Sequence, residues 1–242
     1  MFTGFSDGEA TFSVSIRENP SKNGIGWQVL FTFQIGLHSR DIIILNRIQA
    51  FFGGIGRISF EKKRDVAFYT VTDRDGLKLI IKHFQDYPLQ SYKWIDFSLF
   101  CQIYELVQKR SHMTKEGLNY IVSIRKCMNL SLSDKLTKAF PNLVLITLPI
   151  RPSLVYLDPY WVTGFIDGEG CFSINKKISK NKFMFSFQPI FELTQHERDK
   201  SLLEFISQFF CTGNVYLHSN KRAYRFMSSS SSKLCKSFIP HL

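Results

Sequence analysis

Two stretches of this chain are copies of one another. Phe2-Thr3-Gly4-Phe5-Ser6-Asp7-Gly8-Glu9 returns as Val162-Thr163-Gly164-Phe165-Ile166-Asp167-Gly168-Glu169, an offset of 160 (169 minus 9). Phe12-Ser13 matches Phe172-Ser173 at the same offset. Leu37-His38-Ser39-Arg40-Asp41 answers Gln195-His196-Glu197-Arg198-Asp199 at 158 (195 minus 37), and Phe51-Phe52 answers Phe209-Phe210. Collinear blocks with so little drift mean two copies of one unit. The period is far longer than the 20–50 residues of a solenoid repeat. The expected organisation is a first repeat over 1–130, a linker over 131–159 and a second repeat over 160–242. The linker is read from Pro141, Pro149, Pro152 and Pro159, because proline punctuates regular structure.

Each copy carries the same plan. A short helix holds the octapeptide. Thr11 to Arg17 alternates polar and apolar side chains, the period of a half-buried strand. A second strand is expected over Trp27 to Leu37, a helix over Arg40 to Phe52, and a hairpin from Arg57–Glu61 and Val66–Thr72. Helices are expected over Asp75–Gln85 and Ile95–Lys109. The second copy repeats this with Ser173–Lys177, Phe183–Leu193, Asp199–Phe210 and a Val215–Met227 hairpin.

Composition narrows the partners. The 242 residues hold 31 Lys+Arg against 20 Asp+Glu, a formal net charge of +11. Such a surplus points to a polyanion, with nucleic acid first and an anionic membrane surface second. The longest apolar run, Leu143 to Ile150, is far short of the roughly 20 residues that cross a bilayer. No charged-then-apolar leader follows Met1, so no signal peptide is expected. The five cysteines form no CxxC pair, which argues against a zinc site or disulfide framework and fits a reducing compartment. The 24 phenylalanines fit AT-rich coding, as in an organelle genome.

The octapeptide carries the chemistry. Gly4 and Gly8 stand four apart, as do Gly164 and Gly168, so each pair shares one helix face. Each glycine costs a helix about 1 kcal/mol against alanine. Close packing of one repeat's helix on the other's is a reason to keep them, as in small-xxx-small pairs. Glu9 and Glu169 then end two adjacent helices, where the dipole is unfavourable to an acid. Two neighbouring carboxylates demand a counter-ion. An oxygen-ligated divalent ion suits the place, Mg²⁺ above all or Mn²⁺, and such ions serve phosphodiester hydrolysis.

Both octapeptides resemble the LAGLIDADG motif of homing endonucleases. Tyr87-Pro88-Leu89, Lys93, Asp96-Phe97 and Phe100 are similar to the family's pattern after its third helix. His112, Gly117-Leu118 and Arg125 to Asn129 are similar to the close of its first repeat. The resemblance implies an α+β fold: a pseudo-twofold pair of αββαββα units whose two curved antiparallel sheets form a saddle over DNA. It implies a monomeric, site-specific, metal-dependent endonuclease that leaves a staggered double-strand break in intron homing. It implies Glu9 and Glu169 as catalytic metal ligands, Gln195 as the residue that positions water, and Lys93 as the basic residue near the scissile phosphates. Gln195 has only Leu37 opposite it in the first copy. Asp7 and Asp167 match the motif's structural acid, and Ala10 replaces its last glycine. The expected setting is a mitochondrion, with a chloroplast as the alternative.

The DNA-reading residues are expected on one strand face by parity: Ser13, Ser15, Arg17, Gln28 and Gln34, then Ser173, Asn175 and Lys177. Arginine suits guanine, and glutamine or asparagine suits adenine. Arg57, Lys62, Lys63, Arg64, Lys221, Arg222 and Arg225 are expected to meet phosphate or to read bases from the hairpins. Set against the first copy, the second lacks a counterpart of the segment holding Lys93 and the later helices, roughly 45 residues. Three readings of function stand: an endonuclease, an intron-RNA maturase on the same scaffold, and a non-cutting DNA-binding remnant. The paired glutamates favour the first.

Overall fold

The computed structural model describes residues 1–20, 25–128, 132–178, 185–218 and 222–241, with backbone alone at 177 and 178. The first copy runs α1 (Phe2–Glu9), β1 (Ala10–Glu18), β2 (Trp27–His38), α2 (Ile42–Phe51), β3 (Arg57–Glu61), β4 (Val66–Val71) and α3 (Arg74–Asp86). This is the expected αββαββα order. Then come α4 (Lys93–Gln108), α5 (Lys115–Lys126) and α6 (Asp134–Ala139). The second copy repeats the plan with α7 (Pro159–Glu169), β5 (Gly170–Ile178), β6 (Phe185–His196), α8 (Lys200–Phe209), β7 (Asn214–Leu217) and β8 (Ala223–Ser228). Short helical turns follow at Ser231–Lys233 and Leu234–Phe238. No helix among the described residues is long and apolar enough to cross a membrane.

The chain folds as two units. The larger holds Ala10–Pro88 with Lys93–Pro152. The other holds Met1–Glu9, Leu89–Tyr92 and Ser153–Leu242. Helix α1 therefore packs with α7 rather than with the strands that directly follow it.

In the larger unit the sheet order is β1-β2-β4-β3, all antiparallel. The alternation read from the sequence is what one face of this sheet buries. Phe12, Val14, Ile16, Phe31 and Phe33 are buried, and α4 lies on them. Phe12 meets Phe97 and Phe100 at ring-centroid distances of 5.1 and 5.6 Å, and Phe31 meets Phe100 and Tyr104 at 5.3 and 5.4 Å. Phe97, Phe100 and Tyr104 form one stripe at i, i+3, i+7. Caps set the helix starts: Asp73 accepts from Gly76 N at 2.7 Å and Thr114 from Gly117 N at 3.0 Å.

Helix α6 falls inside the stretch read as a linker. Its buried Leu136 and the Ser133 side-chain cap on Leu136 N explain why short helix survives there. Periodicity alone also left α5 without an assignment. Its Arg125 is partly buried and donates from Nε to Val14 O at 2.6 Å, so it fastens the helix to β1.

In the second unit the sheet order is β5-β6-β8-β7, again antiparallel. Its core gathers Trp161, Phe165, Phe191, Leu202, Ile206, Phe226 and Phe238. Asp158 caps α7 through Trp161 N at 3.0 Å, with Pro159 in the first turn. The repeated His-x-Arg-Asp block also has a structural cause. His38 Nδ1 accepts from Arg40 N, and His196 Nδ1 from Arg198 N, both at 3.3 Å. Each histidine thus caps a one-turn helix leading into α2 or α8.

Candidate active site and nucleic-acid surface

Helices α1 and α7 meet backbone to backbone at their glycines. A methyl group added at Gly4 would lie 1.9 Å from Trp161 O, and one at Gly164 would lie 1.9 Å from Met1 O. No side chain fits either place. One turn on, the approach continues. A Cβ at Gly8 would sit 3.0 Å from Glu169 Cγ, and a Cβ at Gly168 would sit 3.4 Å from Glu9 Cγ. Each glutamate stem thus lies against the other helix's glycine. Both glutamates are half-buried, at the ends of helices whose carbonyls carry partial negative charge.

Two carboxylates gathered where negative charge already accumulates are a donor set for a hard divalent cation. The residues fit such an ion in type and number for a site that shares its shell with phosphate oxygens and water. No cluster of three or more His, Cys, Asp or Glu side chains placed to hold a metal exists among the described residues.

Asp7 is fixed more firmly than the sequence suggested. It is 4% exposed, and its carboxylate accepts from Gln90 N at 2.7 Å, Ser91 N at 3.1 Å, Trp161 Nε1 at 2.8 Å and Ser91 Oγ. Four donors compensate the buried charge. Two residues from Glu9, they also lock the last turn of α1. The segment 89–92 makes a second tie, Tyr92 N to the buried Asp199 at 2.7 Å, and Arg198 covers the Tyr92 ring at 4.1 Å. Trp161, Gln90 and Ser91 carry no signal in sequence, since they lie 83 to 154 residues from Asp7. Asp167, at the matching position of α7, is exposed.

The polar strand residues fall as parity requires. Thr11, Ser13, Ser15 and Arg17 pair in register with Gln34, Thr32, Leu30 and Gln28. They share the face of the larger unit's sheet opposite α4. A row crosses all four strands, Arg57–Thr70–Gln34–Thr11, with Gln34 Nε2 donating to Thr70 Oγ1 at 3.1 Å. Gln28 accepts from Asn19 at 3.1 Å. Thr11, Thr32 and Thr70 also belong to this face, marked by the same parity as Ser13 and Gln34.

In the second unit Ser173 and Asn175 share the polar face, Asn175 paired with Gln188; the side chain of Lys177 lies outside the described residues. Arg225 is a sheet residue on that face, paired with Thr194 and ion-paired with Glu192 at 3.4 Å. Lys62 and Lys63 are exposed on the turn between β3 and β4. Arg64, on the same turn, is held by Glu61 at 2.6 Å. Arg222 is exposed just before β8, and Lys221 lies outside the described residues. Gln195 stands opposite Tyr224, and its parity sets it with Leu193 and Phe191, away from Ser173. Lys93 opens α4 in the larger unit.

The model of the LAGLIDADG endonuclease family matches residues 2–104 and 162–242. "Probable intron-encoded endonuclease 3" of Neurospora crassa is 36% identical over 224 residues, 92% of this chain and 42% of its own length. The chain spans about half the length of the curated relatives it matches. Shorter matches are named for fungal introns of cox1 and ND4. Among solved structures, the I-LtrWI LAGLIDADG homing endonuclease bound to target DNA superposes with a TM-score of 0.94 at 33% identity, over 99% of this chain and 80% of its own. I-SmaMI bound to cleaved DNA gives 0.93 at 31%, over the same shares; it is also solved on uncleaved DNA in the presence of calcium ions. With both family segments matched, the repeated helix pair present and the fold shared along almost its whole length, this chain belongs to the LAGLIDADG endonuclease family.

Proposed function

We propose that the chain is a site-specific DNA endonuclease that uses divalent metal to make a staggered double-strand break at a long recognition site, the chemistry of intron homing. One observation carries this reading: Glu9 and Glu169 end two helices packed glycine to glycine, each stem against the other helix. Glu9 and Glu169 would hold Mg²⁺ or Mn²⁺, which would supply Lewis acidity and an activated water for phosphodiester hydrolysis. Asp7 with its four donors holds the Glu9 end of α1 in place. Lys93 is assigned to stabilise charge developing on phosphate; Gln195, expected to orient water, stands on the side of β6 away from Ser173 and is given no role. The polar rows around Arg17, Gln28, Gln34, Ser173 and Asn175 suit base edges in a major groove, and Arg57, Lys62 and Lys63 suit phosphates. The DNA-bound relatives support a double-stranded substrate. The fungal intron relatives support a mitochondrial setting, and a monomer with two internal halves needs no second copy.

The deciding experiment is cleavage-site selection on a randomised duplex library with Mg²⁺, run beside a Glu9→Gln, Glu169→Gln double variant. The parent should enrich one long site with staggered ends, and the variant should bind that site without cutting it. Equal cutting by both would remove the glutamates from the mechanism. Tighter binding to structured intron RNA than to any duplex would replace the reading with a maturase.

A further inference from the structure

The repeated His-x-Arg-Asp block does different work in its two copies. In the first, Arg40 and Asp41 pair with each other at 3.5 Å, both open to solvent. In the second, Asp199 is 5% exposed and accepts from Tyr92 N at 2.7 Å. The Arg198 guanidinium lies over the Tyr92 ring at 4.1 Å. The hydrogen bond spans 107 residues, so it has no part in closing the turn on which Asp199 sits. Burying a carboxylate is costly unless it is hydrogen-bonded, and a backbone N–H donating to a carboxylate makes one of the stronger bonds in a protein. The second copy of the block is therefore built to grip Tyr92.

What is gripped explains why. Tyr92 ends the short segment Leu89–Tyr92 that folds with the second unit, and the chain crosses to the larger unit at the next peptide. The residue on the far side is Lys93, the first of α4, whose Cα is about 3.8 Å from that of Tyr92. A lysine is a point charge on a flexible stem, so where its backbone is held decides how well it meets a phosphate. Asp7 grips the same segment at Gln90 and Ser91, but it stands two residues from Glu9 and serves that end of α1 as well. Asp199 sits on the one-turn helix before α8, off both motif helices. Its grip is one peptide from the lysine.

We propose that Asp199, with Arg198, is a positioning residue for Lys93: it fixes the peptide before α4, so that a group carried by the first copy is aimed by the second. This rests on the role given to Lys93 in phosphodiester cleavage, and it means that damage to the grip is felt through Lys93. The test is a double-mutant cycle on the full chain, with the duplex enriched by cleavage-site selection as substrate. Single-turnover cleavage is measured with Mg²⁺, and affinity for the uncut duplex with Ca²⁺ in its place. The variants are Asp199→Ala, Asp199→Asn, Lys93→Ala, and Asp199→Ala combined with Lys93→Ala. Arg198→Ala, at an exposed position, repeats the cycle without emptying a buried site.

Asp199→Ala should slow cleavage by about ten- to a hundredfold, as a small misplacement of a reacting group does, with affinity kept within about threefold. Asp199→Asn keeps an oxygen facing Tyr92 N and should return the rate to within about threefold of the parent. On Lys93→Ala, the change Asp199→Ala should add less than about twofold. Arg198→Ala should slow the parent by about threefold or more and Lys93→Ala by less than about twofold. Should Asp199→Ala not fold, the Arg198 cycle decides. Recurrence of the full loss on Lys93→Ala would overturn the proposal, leaving Asp199 a prop for the fold. Parent-like rates in both Asp199→Ala and Arg198→Ala would overturn it too. Parent-like cutting by Lys93→Ala would remove the lysine's role and the proposal together, whereas a slow Lys93→Ala with a further full loss from Asp199→Ala sinks the proposal alone.

Discussion

Asp7 and Asp167 occupy the same place in two copies of one motif, yet their surroundings set opposite roles. Asp7 is buried under four donors, whereas Asp167 is exposed. Asp7→Asn turns one oxygen into a donor facing donors and should cost about 2–4 kcal/mol in urea unfolding. Asp167→Asn should stay within about 0.5 kcal/mol. Equal losses would mean the hydrogen bonds on Asp7 do not stabilise the fold. The glycines grade in the same manner. Gly164→Ala meets a backbone oxygen at 1.9 Å and should cost more than about 2 kcal/mol despite alanine's better helix propensity. Gly8→Ala meets first the flexible Glu169 stem at 3.0 Å, with the Gly168 backbone no nearer than 3.4 Å. It should change stability by less than about 1 kcal/mol while lowering the cleavage rate, and a rate unchanged by Gly8→Ala would separate Glu169 from the chemistry.

At the level of elements, the sequence was most informative where period and parity apply. The alternation from Thr11 to Arg17 named both faces of β1, and the repeat carried that reading to β5. It could not show whether a cover exists. Phe172 and Ile174 alternate as Phe12 and Val14 do, but only the first copy's pair is covered. The clamp on Asp7 was illegible for a related reason, because its donors come from residues distant in sequence and include backbone N–H groups. A further element-scale effect was equally hidden. His83 on α3 packs against Phe51, Phe52 and Phe84 at 5.0 to 5.7 Å, and desolvation pushes its pKa down to about 4. Between pH 6.5 and 4 the unfolded chain binds a proton that the folded chain refuses, so stability falls as pH drops through that window. With its partial solvent access, the contribution is about 1–2 kcal/mol. His83→Gln should flatten the pH dependence of urea unfolding by that amount. An unchanged slope would place the histidine's titration elsewhere.

The whole molecule carries a net charge of +11, with exposed Arg17, Arg57, Lys62 and Lys63 on or beside a polar strand face. Duplex affinity should therefore fall by about a thousandfold or more between 50 and 200 mM salt, as for proteins meeting 6–10 phosphates. Fluorescence anisotropy on the selected site measures this. A change below about tenfold would mean that phosphate contacts contribute little.

The chain also changes unit at Glu9, again on either side of Leu89–Tyr92, and once more near Pro152. Helix α1 emerges from the ribosome 160 residues before the α7 glycine it must meet. At 5–20 residues per second that is a wait of about 10–30 s. Eight residues are too few to hold a helix unaided, so α1 gains its packing only once α7 has been made. Translation speed over residues 10–169 thus sets how long the first glutamate waits for its partner.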